Sequence, residues 1–269
     1  MTKLWKVSTD HGLNLSGDEF VGILATHHAR IVEAWQALTP EQWEQPSRNP
    51  SWSAHDTVRH VADAVQLGAA QVLGESPPFT LGAFDPRTTP DVWLAESAGD
   101  APTRTIERFA DAAERLRARV GEKMTAGDSS LDATVYGPAH WTVNIVHIFW
   151  DSWLHERDVL LPLGLTAEST NDEQRLAAVY ALLMAMVPAR MMEQPFGVTM
   201  DLTGSGGRVV SAVHQAGAIS SAESTDAEAD FAADLCSIVD SLSGRGTALE
   251  DLAPDAPAML GSLAQFMAE

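Results

Sequence analysis

The sequence predicts a two-part protein, a bundle of four helices over residues 1–168 followed by a small α/β domain over 169–269. Three observations carry this expectation. Four segments in the first part show apolar residues at helical spacing. All eight tryptophans lie in the first 153 residues, whereas glycine pairing and two-residue alternation come later. Pro162 and Gly164 punctuate the end of the longest helical pattern, which puts the boundary between Leu163 and Ser169.

Each helix has its own signature. Ser16 and Glu19 form a capping-box pair ahead of Phe20, Ile23, Leu24, Ile31 and Trp35. Ser53 with Asp56 opens the second, which carries Val58, Val61, Ala62, Val65, Ala69 and Val72. Ile106, Phe109, Ala113, Leu116 and Val120 mark the third, and the fourth runs from about Thr142 to Leu161, apolar almost all round. Between the second and third lies Glu75 to Pro90, with Pro77, Pro78 and Pro86; its length suits a lid or binding loop as well as a packed surface loop. In the second part, Thr170 and Glu173 cap a helix expected from Arg175 to Met192. Strands are expected at Phe196 to Leu202 and Arg208 to Val213, joined by a turn over Gly204 to Gly207. Phe231 to Leu242 and Pro257 to Met267 read as helices.

Composition excludes several partners. Seventeen Lys and Arg stand against 37 Asp and Glu, a formal charge of −20, so the chain lacks the positive field that nucleic acid or an anionic membrane requires. Residues 215–269 hold ten acids and one base, Arg245. The single cysteine, Cys236, leaves no intramolecular disulfide and fits a reducing compartment. The first residues have no apolar h-region, and the longest apolar run, Leu176 to Val187, is short of the ~20 residues that span a bilayer. A cytoplasmic protein is expected.

The fourth helix carries the chemistry. At about 100° per residue, Asn144, His147, Asp151, His155 and Asp158 fall within roughly 80° of one another. Buried carboxylates and imidazoles cost several kcal/mol unless paired, hydrogen-bonded or bound to metal. Asp151 and His155, four residues apart, occupy adjacent turns of one face, as helix-borne metal ligands do. A buried polar network or a solvated face is the alternative. His60, on the second helix, lies opposite that helix's apolar stripe and is the third candidate ligand, with an ordinary, partly exposed histidine as its alternative. His147, one turn before Asp151, suits orienting a ligand or moving a proton, and otherwise a hydrogen bond within the stripe. His11, His27, His28, His55, His140 and His214 are expected to be surface or structural.

These motifs resemble a known family. The stretch from Pro46 to His60 (PSRNPSWSAHDTVRH) is similar to the PS-x-x-P-x-W-x-x-x-D-x-x-x-H segment of the mycothiol-dependent maleylpyruvate isomerases. DSWLHERD, from Asp151 to Asp158, resembles their acidic-x3-His-x2-Asp signature, and Phe231 to Arg245 resembles their C-terminal Asp-Leu…Gly-Arg segment. The resemblance implies a DinB-like four-helix bundle and a small C-terminal α/β domain. It implies a divalent metal, zinc being the expected ion, held by His60, Asp151 and His155 with one exchangeable position. Asp151 stands where the family commonly has Glu. Mycothiol is the implied thiol co-substrate, and Arg245 falls where the family uses an arginine near the active site. Arg245, or Arg87 of the proline-rich connection, is a candidate for holding a substrate carboxylate.

The expected function is metal-dependent activation of a low-molecular-weight thiol. Its outcome is isomerisation of a maleylpyruvate-like unsaturated acid or S-transfer to an electrophilic small molecule. A metallohydrolase acting on an amide conjugate and a non-enzymatic small-molecule binding protein are the alternatives. The expected partners are a small-molecule substrate and the thiol, and the expected state a monomer or homodimer.

Overall fold

Ser16 starts the first helix, α1 (Gly17–Gln36), by accepting the amide of Glu19, whose side chain returns to the Ser16 amide. The computed structural model describes residues 3–76, 88–134, 137–204, 208–245 and 249–262. Arg87, the prolines at 77, 78 and 86, most of the 204–207 turn and the end of the helix expected to Met267 lie outside these residues.

The chain divides into a helical unit, Ser16–Asp128 with Asp151–Glu168, and a sheet unit, Met1–Leu15 with Ser129–Trp150 and Ser169–Glu269. A cut after 168 is one edge of this division; residues 1–15 and 129–150 fold with the C-terminal part.

In the helical unit, α1 is followed by the single turn α2 (Pro40–Trp43) and by α3 (Ala54–Leu73). Ser53 and Asp56 form a complete capping box on α3, and Gly74, at φ +70°, ends it in the left-handed region that glycine tolerates. A short α4 (Thr89–Glu96) precedes α5 (Pro102–Thr125), which packs against both α1 and α3. The core holds Phe20, Ile31, Trp35, Val58, Phe109 and Leu116, all fully buried. The second half of α6 (Trp141–Leu160) completes this unit: Ser152 and Glu156 bond to His27 and Arg30 of α1.

The sheet unit has more strands than the sequence suggested. Strands β1 (Lys6–Ser8), β2 (Gly12–Leu13), β5 (Phe196–Thr203), β6 (Arg208–Gln215), β7 (Ala218–Ser224) and β8 (Phe231–Asp234) form one sheet in the order β2-β1-β7-β6-β5-β8. All pairings are antiparallel except β5 with β8. A separate hairpin joins β3 (Leu131–Thr134) and β4 (Gly137–His140). Helix α7 (Asn171–Met184) packs on β1, β6, β7 and α9 (Leu235–Leu242). Buried Arg175 of α7 stacks on Trp5 and binds both oxygens of Glu223 at 2.9 and 2.8 Å, which ties the N-terminal segment to the sheet.

Two expected helices are corrected. The run from Arg175 to Met192 is broken between α7 and α8 (Val187–Met191), because Pro188 lacks an amide hydrogen and its ring clashes with the carbonyl four residues back. Phe231 to Asp234 is a strand paired with β5, and the helix begins only after Asp234, which caps α9 through the Ser237 amide.

Candidate metal centre

Two helices of the helical unit bring His60, Asp151 and His155 to one point. The Ser53–Asp56 box fixes the start of α3, and with it the position of His60 nearly two turns on. Asp151 and His155 project from α6 at i and i+4. One ligand atom from each of the three residues lies within 4.8 Å of the others. The His60 and His155 rings meet edge to face with centroids 4.9 Å apart.

The separations decide between a hydrogen-bonded cluster and a ligand set. His60 Nε2 is 3.6 Å from Asp151 Oδ2, and His155 Nε2 is 3.4 Å from Asp151 Oδ1. Hydrogen bonds between such groups run at about 2.7–3.2 Å. Four ligands tetrahedrally arranged on bonds of about 2.0–2.1 Å lie about 3.3–3.4 Å from one another. Both separations exceed hydrogen-bond length and lie close to the spacing of ligand atoms round a cation. Consistently, the buried Asp151 Oδ2 and His60 Nδ1 have no hydrogen-bond partner among the described residues. Two imidazoles and a carboxylate form a donor set suited to zinc or another first-row divalent ion with an open position.

The surroundings aim the ligands. His155 Nδ1 donates to Asp158 Oδ2 at 2.8 Å, which turns Nε2 toward Asp151 and His60. Asp158 is fully buried, and its other oxygen accepts Arg48 Nε at 2.9 Å. Half-buried Trp52 packs its ring 4.9 Å from that of His60 and 6.1 Å from that of His155, and donates its indole N–H to Asp91.

Charge follows from the same geometry. Burial opposes ionisation of Asp151, but His155 and His60 outweigh it and pull the carboxyl well below its usual range. Burial likewise opposes charge on His155, yet Asp151 and Asp158 push its ring up to about 9. The three side chains thus place an ionised carboxylate between two imidazoles.

The five-residue stripe divides between the two units. Asp151, His155 and Asp158 act together, whereas His147 lies in the sheet unit's half of α6, with Nδ1 2.9 Å from the Tyr180 hydroxyl. Arg245 also belongs to the sheet unit, just after α9; its amide donates to Asp240 O and its Nη1 to Ser243 O. Cys236 is half-buried on α9. Among the other histidines, His27 and His28 are buried in the bundle, and His214 of β6 donates its Nδ1–H to Gln194 O at 2.7 Å. Sequence reasoning did not single out Arg48, since no local pattern reveals a pairing across 110 residues.

A helical bundle with a candidate metal centre is the class of protein that fold and site define. Residues 23–155 match the model of the DinB superfamily, and this stretch contains all three candidate ligands. The fold of nearly the whole chain is shared with a crystal structure of mycothiol-dependent maleylpyruvate isomerase, at a TM-score of 0.60 and 14% identity, covering 89% of this chain and 92% of that one. A histidine-to-alanine mutant of that isomerase matches over the same shares at 14% identity and a TM-score of 0.58. No curated protein sequence matches the chain. No helix among the described residues is long and apolar enough to cross a membrane.

Proposed function

We propose that the protein is a metal-dependent enzyme that activates a low-molecular-weight thiol, with mycothiol as the expected co-substrate. The observation that carries this reading is the convergence of His60 and His155 on Asp151, at 3.6 and 3.4 Å. The shared fold with mycothiol-dependent maleylpyruvate isomerase supports the choice of thiol.

His60 Nε2, His155 Nε2 and the Asp151 carboxylate would hold the ion. A divalent cation bound there supplies positive charge that lowers the pKa of an incoming thiol and keeps it ionised near neutral pH. Asp158 fixes the His155 tautomer, and Trp52 offers a half-buried aromatic wall beside both imidazoles. Addition of the sulfur to an activated double bond, rotation and elimination return the thiol unchanged and give the isomer. Protonation of the adduct instead gives the S-conjugate.

The test separates this reading from amide hydrolysis. Zinc-loaded protein is expected to be stabilised thermally by mycothiol more than by glutathione or cysteine, and to convert maleylpyruvate or trap an electrophile only when thiol is added. Turnover of an amide conjugate in the absence of thiol, with no stabilisation by mycothiol, would overturn it in favour of a hydrolase.

A further inference from the structure

Both imidazoles are contacted by one short loop that itself supplies no ligand. Residues 46–53 form a closed turn: Pro46 bridges to Ser53, the Ser47 amide donates to Trp52 O at 2.9 Å, and the Trp52 amide donates to Asn49 O at 3.1 Å. Buried Ser47 adds a side-chain bond to Trp52 O at 3.0 Å. The turn is therefore braced before it meets the site.

From this turn Arg48 grips Asp158 twice. Its amide donates to the Asp158 carbonyl at 3.0 Å and its Nε to Oδ1 at 2.9 Å. The remaining oxygen, Oδ2, accepts His155 Nδ1 at 2.8 Å. A fully buried carboxylate held between a guanidinium and an imidazole has little rotational freedom, so the direction of the His155 ring depends on Arg48. At the other end of the turn, Trp52 packs on the rings of both His60 and His155, and its indole N–H is fixed to Asp91 of α4 at 3.0 Å. The buried Nδ1 of His60 has no hydrogen-bond partner among the described residues, which leaves ring packing to set its orientation.

We propose that the 46–53 turn is the positioning element of the metal centre, with Arg48 directing His155 through Asp158 and Trp52 holding both imidazoles by packing. The proposal rests on the metal reading given above. Arg48 and Trp52 are positioning residues; neither is a ligand.

Zinc affinity, measured by competition with a chromophoric chelator, and the visible spectrum of the cobalt-substituted protein test it. Arg48→Met is expected to weaken zinc binding about 10- to 100-fold and to shift the cobalt bands, with Arg48→Lys falling between it and the wild type. Asp158→Asn is expected to have a similar effect. Because Arg48 acts through Asp158, adding Arg48→Met to Asp158→Asn should weaken binding by less than about 2-fold more, whereas an independent structural role would give additive losses. Trp52→Ala should weaken binding about 10-fold, and Trp52→Phe should restore most of it. If Arg48→Met does not fold, Arg48→Lys carries the test. Wild-type affinity and spectrum in Arg48→Lys or Arg48→Met, or full additivity in the double variant, would overturn the positioning role. Failure of the wild type itself to bind zinc or cobalt would overturn the metal reading and the proposal with it.

Discussion

The second half of α6 buries polar groups on two faces, and the two are finished differently. On one face, Ser152 lies 2.8 Å from His27 Nε2, His27 Nδ1 lies 3.1 Å from Arg30 Nη2, and Arg30 pairs with Glu156. These are hydrogen-bond lengths, and the network links α1 to α6. On the other face, Asp151 stands 3.4 and 3.6 Å from two imidazoles, with a carboxylate oxygen and a ring nitrogen unmatched. Buried polarity alone therefore does not mark a site. The first face is joined directly at hydrogen-bond lengths, whereas the second holds its groups farther apart, close to the spacing of metal ligands.

The largest expected difference between the faces is in metal binding. His155→Ala should weaken zinc affinity by more than ~100-fold, beyond what loss of an outer partner costs, while Arg30→Met should leave it within about 2-fold. Chelator competition on both variants measures this directly. Stability should show the reverse order. Arg30→Met removes the guanidinium that pairs with Glu156, 2% exposed, and should cost about 3 kcal/mol in urea unfolding of the metal-free protein. A comparable loss of zinc affinity in Arg30→Met would merge the two faces into one network.

Adding metal sharpens the contrast further. At a free zinc concentration of about 100 times Kd, the folded state should gain about 2.7 kcal/mol. Arg30→Met should keep that increment and His60→Ala should lose it. The smallest effect concerns pH. In chelator-treated protein, the His155 ring is raised from 6.5 to about 9, so its contribution to stability is fully present below about pH 6.5 and lost as pH rises through about 9. Zinc needs the neutral ring, so its affinity should rise over that same window. Denaturation and zinc titrations at both ends of the window check the opposite signs.

The sequence made one face of α6 legible and the other invisible. Asp151, His155 and Asp158 share a helical face by spacing alone, and His60 stood apart from the apolar stripe of its own helix. Ser152 and Glu156 sit among apolar neighbours on the same helix, but their partners His27 and Arg30 lie some 125 residues away, and no local pattern links them. Arg48 escaped for the same reason. The capping boxes at Ser16, Ser53 and Thr170 were readable because each is a three-residue exchange of side chain and amide. β7, with the sequence AISSAES, has weak intrinsic strand preference, and its pairing with β6 and β1 makes the strand. The 20-residue α3 and α6 were legible in kind, whereas Pro188 and Asp234 set boundaries that apolar periodicity overran.

Metal stoichiometry tests the central claim most directly. After zinc loading and removal of free metal, the wild-type chain should retain one zinc ion and His155→Ala none. A wild-type chain that retains no metal, or a His155→Ala chain that retains a full equivalent, would contradict the account.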